Sequence, residues 1–594
     1  MARNTYSVDE NLERKFDFTK LKRAFIYLKP HKAKLLLAIL LSSLSSILSL
    51  LPPFMLSKAI DKAIPDGNVK MLINLALITV GALIVSAVSG SLRGAIMAKV
   101  GQSIVYKLRM DVFTHLQKLP FSYYDSRPHG KILVRVVNYI NNVSNTLSNG
   151  VINAIINVFN LFFIAVYMFL LDVKLSIVIC LGLPPLLLIV FILKNKQKKT
   201  LFLFNNKNSN LTAFTCEFVE GVKVTQTFNR QQENMKIYDE LNSVYRKYWY
   251  KMCLYTNLLS PISELLKQVI IGLVYVTGIL LISPSVEIGV LIAMASYATS
   301  FWQPIINLAN IYNNFLTTIS YLERIFQTLD EPISIEDKPG AKSLENIKGK
   351  IEFRNVNFEY EQGVKVLKNI CFEAKAGESI ALVGPTGSGK TTIVNLISRF
   401  YNATAGNILI DDTPIDDITI KSLRKHISVM MQDSFIFSGT IADNIRYGRL
   451  DATDEEIIEA AKTVCADEFI SKMENGYYTT VTEKGSGLSQ GEKQLISLAR
   501  TLLSDPSVLI LDEATSNIDA KTEHLLQEGI ANLLKNRTSF IIAHRLSTIK
   551  NCDKIMFIQD GRIIEYGSHN ELINKKGAYY KLCMAQAGDN QSSN

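Results

Sequence analysis

The chain has 594 residues, a net charge of +10, 48% hydrophobic and 20% charged residues, with a mean hydropathy of +0.16. This composition excludes a disordered chain, a collagen-like repeat and a small disulfide scaffold. The basic surplus fits either nucleic acid or an anionic membrane face, depending on where the charge sits. The seven cysteines form no Cys-x-x-Cys pair and none has zinc-ligand spacing, which points to a reducing compartment and no structural metal.

The first residues are polar, and 1–34 reads as an N-terminal segment ending in the basic run Lys29, Lys32, Lys34. Leu35–Leu56 is then almost wholly apolar or Ser, long enough to cross a hydrocarbon core of about 30 Å. Pro52 and Pro53 mark a kink or stop near its outer end. Further apolar stretches at Met71–Met97, Val151–Leu171, Val173–Leu193, Asn257–Ile282 and Ile288–Ile311 follow. Soluble core helices rarely run this long without a polar face, so these are read as six membrane helices with long cytoplasmic extensions. The flank before the first span, Arg109–Arg135, and Lys194, Lys196, Lys198 and Lys199 after the fourth span are basic. The positive-inside rule then puts both termini and both long loops in the cytoplasm, and the surplus charge at a membrane face argues against a nucleic-acid partner.

Arg93, Glu264 and Lys267 lie in or near spans, where charge is costly. Glu264 and Lys267 share a helix face and suit either a substrate-accessible cavity or a structural ion pair near the rim. Asn153, Asn157, Asn160, Asn307, Asn310, Asn313 and Asn314 read as interhelical hydrogen-bond glue. Tyr297, Phe301, Trp302, Tyr312 and Phe315 on the sixth span suit a cavity wall or plain helix packing. The chain is thus divided into a transmembrane domain (35–328), a linker (329–350), an α/β domain (351–587) and a polar tail (588–594).

In the α/β domain, the apolar strand Ser379–Val383 runs into Gly384, Pro385, Thr386, Gly387, Ser388, Gly389, Lys390, Thr391 and Thr392, followed by a helical pattern. Strand, GxxxxGK[ST] loop and helix together form a phosphate-binding P-loop. Its backbone N–H groups curl round phosphate oxygens, Lys390 reaches the β- and γ-phosphates, and Thr391 ligates Mg2+. A second strand, Val508–Leu511, delivers Asp512 and Glu513; Asp512 suits the outer sphere of Mg2+ and Glu513 the polarisation of an attacking water.

Leu488–Ser489–Gln490–Gly491–Glu492 between these motifs resembles the LSGGQ signature of ATP-binding cassette (ABC) proteins. Gln432 matches the Q-loop, His544 the H-loop, Ser516–Asp519 the D-loop, and Tyr360 the aromatic that stacks on adenine. Leu119–Asp125 and Glu220–Val224 resemble the two coupling-helix regions. Six spans ahead of one cassette resemble an ABC exporter half-transporter, over nearly the whole chain. The resemblance implies an ATPase in the plasma membrane that uses ATP and Mg2+ to export hydrophobic or amphipathic compounds, drugs or lipids, by alternating access. Glu513, His544 and Gln432 would be catalytic, with Gln432 also near the metal beside Thr391 and Asp512. Ser489, Gln490, Gly491 and Glu492 would face the partner's ATP, and Asp519 would lie in the D-loop.

The sequence departs from the signature where Gln490 replaces a glycine and Glu492 the final Gln. A carboxylate beside a triphosphate is unfavourable, while Glu513 leaves the chain's own Walker side intact. This combination resembles one subunit of bacterial heterodimeric exporters and favours a heterodimer over a homodimer. Peptide or protein secretion and an ATP-gated channel are the competing functions. No Cys precedes Cys180, so an N-terminal cysteine peptidase domain is not expected. Abundant Lys, Asn and Ile suggest an AT-rich bacterial genome.

Overall fold

The computed structural model describes residues 23–125, 132, 135–282, 286–361, 363–430, 434–482, 485–512, 520–543 and 546–591. The chain divides into two compact units, one of Met1–Gln117 with His129–Glu331, the other of Lys118–Pro128 with Pro332–Asn594. The division falls inside the stretch read as linker. Beyond it, Lys342 N–H donates to Asp417 O and Leu344 N–H to Ser422 Oγ, so this part of the stretch packs within the second unit.

Among the described residues, the first unit contains six helices long and apolar enough to cross a membrane. They outrun the apolar windows of the sequence: the second is one helix over Val69–Leu116, and the fourth continues from Leu183 to Glu220. Leu77, Ile78, Leu83 and Ile84 point outward from the second span, as lipid-facing residues do. The inward stripes recur at four-residue spacing: Ile164 and Met168, Leu186 and Val190, Ile270 and Val274, Met294 and Ala298 share one apolar cluster. Asp172 caps the helix Val173–Leu181 by accepting from Leu175 N–H at 2.8 Å, which builds the tight hairpin between the third and fourth spans. Asn307 Nδ2 donates to Asn157 Oδ1 at 3.2 Å, the interhelical contact that the asparagine spacing suggests. The fifth and sixth long helices, Gln231–Val276 and Ile288–Leu329, carry interior prolines, Pro261 and Pro304.

The second unit is built round a six-stranded sheet, in which Arg562–Gly567, Lys554–Gln559, Ser379–Val383, Thr538–Ile542, Val508–Asp512 and Ile427–Met430 lie side by side. All pairings are parallel except that between the first two. Both faces of a parallel sheet are covered, so its strands are apolar throughout and alternate residues enter two cores. Ala381, Val383, Leu509, Leu511 and Ile541 enter one, with Leu495, Ile496, Leu498 and Ala499 of the helix Gln490–Leu503. Ile380, Leu382, Val508, Ile510 and Ile542 enter the other, with Ile393, Val394, Leu396 and Ile397 of the helix Lys390–Ile397. The P-loop helix and the signature helix thus pack on opposite faces. A second, antiparallel sheet contains Ile351–Glu359, Lys365–Ala374, Ala405–Ile410 and a short strand at Thr413–Pro414. The final helix, Ala578–Gln591, extends into the stretch read as a polar tail.

Candidate functional site

The register fixes where the motif-bearing strands end. Ile542 pairs with both Leu382 and Asp512, and Met430 pairs with Leu511. The P-loop, Asp512, Ile542 and Met430 therefore lie where these strands end on one side of the sheet, where open α/β sheets bind ligands. Gln432, Glu513, His544 and Asp519 follow these strands but lie outside the described residues.

Two glycines shape the loop. Gly384 has φ +150°, and a Cβ there would stand 2.0 Å from Ile558 O; Gly389 has φ +108°, and its Cβ would stand 2.6 Å from Leu367 Cδ2. Only glycine fits both the conformation and the space. Lys390 Nζ donates to Gly384 O at 2.8 Å and Pro385 O at 2.9 Å, which folds the ammonium back over the loop. Burial holds that ammonium below the ordinary lysine value, and the charge of Asp512 pulls the other way. Ser388 Oγ is buried with no hydrogen-bond partner among the described residues. A phosphate oxygen would satisfy it, so the cradle fits a nucleotide. Thr391 is exposed at the first turn, whereas Thr392 is buried and its Oγ1 lies 3.2 Å from the Tyr360 hydroxyl. Tyr360 is 48% exposed, leaving ring surface for a base. Its ring meets Phe358 and Tyr401 edge-on at 4.7 and 5.1 Å.

Tyr401 follows the P-loop helix closely and was not singled out by the sequence motifs. Its hydroxyl donates to Asp125 Oδ2 at 2.7 Å, and burial followed by this hydrogen bond holds it above the ordinary tyrosine range. Asp125 ends the short helix Phe121–Asp125, whose Phe121 stacks on Phe400 at 5.1 Å. The segment that resembles a first coupling helix is thereby linked to the P-loop through Tyr401 and Tyr360. The second, Glu220–Val224, is a break at Gly221 between the helices Leu183–Glu220 and Val222–Thr227.

At the signature, Ser489 caps the helix Gln490–Leu503. Its Oγ accepts from Glu492 N–H at 3.2 Å, and the Glu492 carboxylate accepts from Ser489 N–H at 2.7 Å. Glu and Gln serve equally at this position of a capping box. Glu492 therefore preserves the helix start that a glutamine would give and adds only its charge. Gln490 opens the helix, and Gly491 is buried in its first turn.

In the membrane unit, a cavity of about 300 Å3 is lined by the fourth, fifth and sixth spans, with Lys194, Ser263, Glu264, Lys267, Trp302 and Asn310 among its walls. Lys267 Nζ and Glu264 Oε2 are 2.6 Å apart, so the ion pair and the cavity wall, posed as alternatives by the sequence, coincide. Trp302 lines the cavity but Tyr297 does not. Tyr297 is 0% exposed, donates to Leu50 O at 2.7 Å and stacks on Tyr167. Tyr297 and Trp302 are five residues apart, about 140° round a helix, and face different ways. In the sequence Lys194 stands only as part of a basic flank, although Gln197, three residues on, repeats the polar signal on the same face.

A family model for the ABC transporter transmembrane region matches residues 35–305, and one described as ABC transporter matches residues 367–516. The chain belongs to the ABC transporters, as a transmembrane region and an ATPase domain fused in one polypeptide. It is 40% identical to the uncharacterised ABC transporter ATP-binding protein YknV of Bacillus subtilis, over 99% of this chain and 98% of that protein. It is 38% identical to YheH of the same organism, a probable multidrug resistance ABC transporter ATP-binding/permease protein, over 82% of this chain and 73% of that one. A solved bacterial Atm1-family ABC exporter with ATP bound is similar with a TM-score of 0.78 and 28% identity, covering 96% of this chain and 99% of that one. The chain is accordingly an ATP-binding, multi-pass membrane protein whose ATPase activity is coupled to transport.

Proposed function

We propose that the chain is one half of a dimeric exporter that moves hydrophobic or amphipathic compounds, drugs or lipids, out of a bacterial cell across the plasma membrane, with both termini cytoplasmic. The observation that carries this reading is a glycine-shaped P-loop beside Asp512 at one sheet edge, in a chain that also has six spans and a polar membrane cavity. The multidrug name of YheH and the Atm1-family exporter support it.

In this reading the loop from Gly384 to Thr392 holds the phosphates and Tyr360 stacks on the base. Lys390 gives up its carbonyl partners for phosphate oxygens. Thr391, Asp512 and Gln432 hold Mg2+, which neutralises phosphate charge when bound. Glu513 orients the water, and His544 holds the γ-phosphate. Ser489, Gln490 and Gly491 present a helix N-terminus to the partner's nucleotide, Glu492 adds an opposing charge there, and Asp519 lies between the two sites. That charge favours a heterodimer whose partner supplies the standard signature to this chain's Walker face.

The test is ATP-dependent uptake of a fluorescent amphiphile into inside-out vesicles holding the chain alone or with its genomic neighbour. Glu513→Gln and Lys390→Ala should each lower ATPase and uptake at least about 100-fold. Uptake that survives both substitutions would overturn the exporter reading. Full activity of the chain alone would overturn the heterodimer.

A further inference from the structure

The geometry points to an amphiphile with a single anionic head, a carboxylate or a phosphate, as the ligand of the membrane cavity, with Lys194 as its anchor. This rests on the exporter reading and names the substrate class of that cavity.

Lys194 differs from its basic neighbours. Lys196, Lys198 and Lys199 are exposed, as expected of a positive flank at a membrane face, whereas Lys194 and Gln197 are half-buried, three residues apart on the cavity side of the helix. Lys194 Nζ donates to Asn310 Oδ1 at 2.6 Å, and among the described residues it has no ion-pair partner. A half-buried ammonium without a counter-ion is unfavourable and suits a site that receives charge from outside the chain.

The rest of the wall cannot supply that charge. Its acid, Glu264, is engaged with Lys267 at 2.6 Å and with Gln268 at 3.0 Å. Two lysines against one glutamate leave the wall with an uncompensated positive charge. Trp302 is 2% exposed, and its Nε1–H has no acceptor among the described residues. Trp302 lines the wall with a buried indole, so the cation that calls for acceptor oxygens in the cavity is Lys194. Leu259 and Ile306, also in the wall, offer apolar surface for a chain. A volume of about 300 Å3 is at the lower end for ligand pockets. A cationic amphiphile would face Lys194 without relief, and a neutral one would leave it unpaired.

The test compares one alkyl chain with four heads: decanoate, decyl phosphate, decyltrimethylammonium and decanol. The protein has two tryptophans, and Trp249 is exposed on the fifth long helix, away from the cavity wall. Trp249→Phe therefore leaves Trp302 as the sole reporter, read by emission in phosphatidylcholine nanodiscs without reference to ATPase activity. The anions should shift the emission saturably and bind at least about tenfold more tightly than decyltrimethylammonium. Lys194→Gln should weaken anion binding about tenfold and leave decanol unaffected, while Lys194→Arg should retain most of it. Tighter binding of decyl phosphate assigns a phosphate head, and tighter binding of decanoate a fatty-acid-like one. Preference for the cation, or an anion affinity unchanged in Lys194→Gln, overturns the inference. The ligand series alone decides if the variant fails to fold. If the cation binds and is exported, the exporter reading survives and the anionic head falls. If no head binds and none is exported, both fall.

Discussion

Along a strand of the cassette, neighbouring residues enter two different cores, so every side chain of Ser379–Val383 beyond Ser379 is buried. Along the second span, by contrast, Leu77, Ile78, Leu83 and Ile84 face outward. The two units consequently build sites in different ways. The nucleotide cradle is a contiguous loop whose backbone is fixed by strand register and by glycines with no room for a side chain. The membrane cavity is assembled from side chains on three spans, and depends on which face each span turns towards the others. One site is set by backbone constraint, the other by helix orientation.

The same substitution should have opposite consequences in the two units. Gly384→Ala places a Cβ 2.0 Å from Ile558 O, whereas Gly272 in the fifth long helix has nothing within 4 Å of the corresponding position. Gly384→Ala should reduce nucleotide binding and ATPase by at least about tenfold, read by nucleotide titration and phosphate release. Gly272→Ala should leave both intact and raise thermal stability slightly, since alanine favours a helix by about 1 kcal/mol over glycine. Equal effects at the two positions would break the contrast.

A smaller effect tests whether the segment 118–125 is held on the cassette as firmly as the cradle itself. Tyr401→Phe removes the hydroxyl that donates to Asp125 and retains the ring against Tyr360. It should cost about 1 kcal/mol of stability in thermal unfolding and weaken the substrate stimulation of ATPase. An unchanged melting temperature together with unchanged stimulation would show that Phe121 on Phe400 holds the segment alone.

The smallest effect is a pH dependence. Burial, then the charge of Lys550, holds His569 below the ordinary histidine value, and its Nδ1 lies 2.8 Å from the Tyr579 hydroxyl. The unfolded chain then binds the proton more readily than the folded one. This contribution is present above about pH 6.5 and lost as the pH falls through and below that value. The melting temperature should fall more steeply from pH 7.5 to 5.5 in the unsubstituted protein than in His569→Asn. Parallel curves would remove His569 from the account.

The sequence made the cradle legible because strand, loop and helix are contiguous and each glycine carries a conformational meaning. The spans were legible from length and apolarity, but not their extent, because the helices continue through polar residues that hydropathy does not score. Tyr297 and Trp302 looked alike as aromatics on one span, and only the rotation of that helix separates a packing residue from a wall residue. Lys194 was hidden among lysines of the same flank, and only its burial distinguishes it. Tyr401 belongs to no phosphate-binding motif; its role depends on a hydrogen bond to Asp125, which is 276 residues away in sequence. Glu492 illustrates the converse: the substitution was evident, but the capping box that makes it structurally equivalent to glutamine required the fold.

Pro261 and Pro304 lie one on each of two helices that wall the cavity, next to Ser260 and Gln303 of its lining. Neither ring nitrogen can donate, so the helical hydrogen bonds that would end on the carbonyls of Asn257 and Ser300 are not formed there. A helix already lacking a rung bends at that point without rupturing one. The cavity therefore sits at the level where both of these walls are most compliant, so a guest could widen or narrow it by flexing two columns while the hydrogen-bonded stretches above and below remain stiff levers.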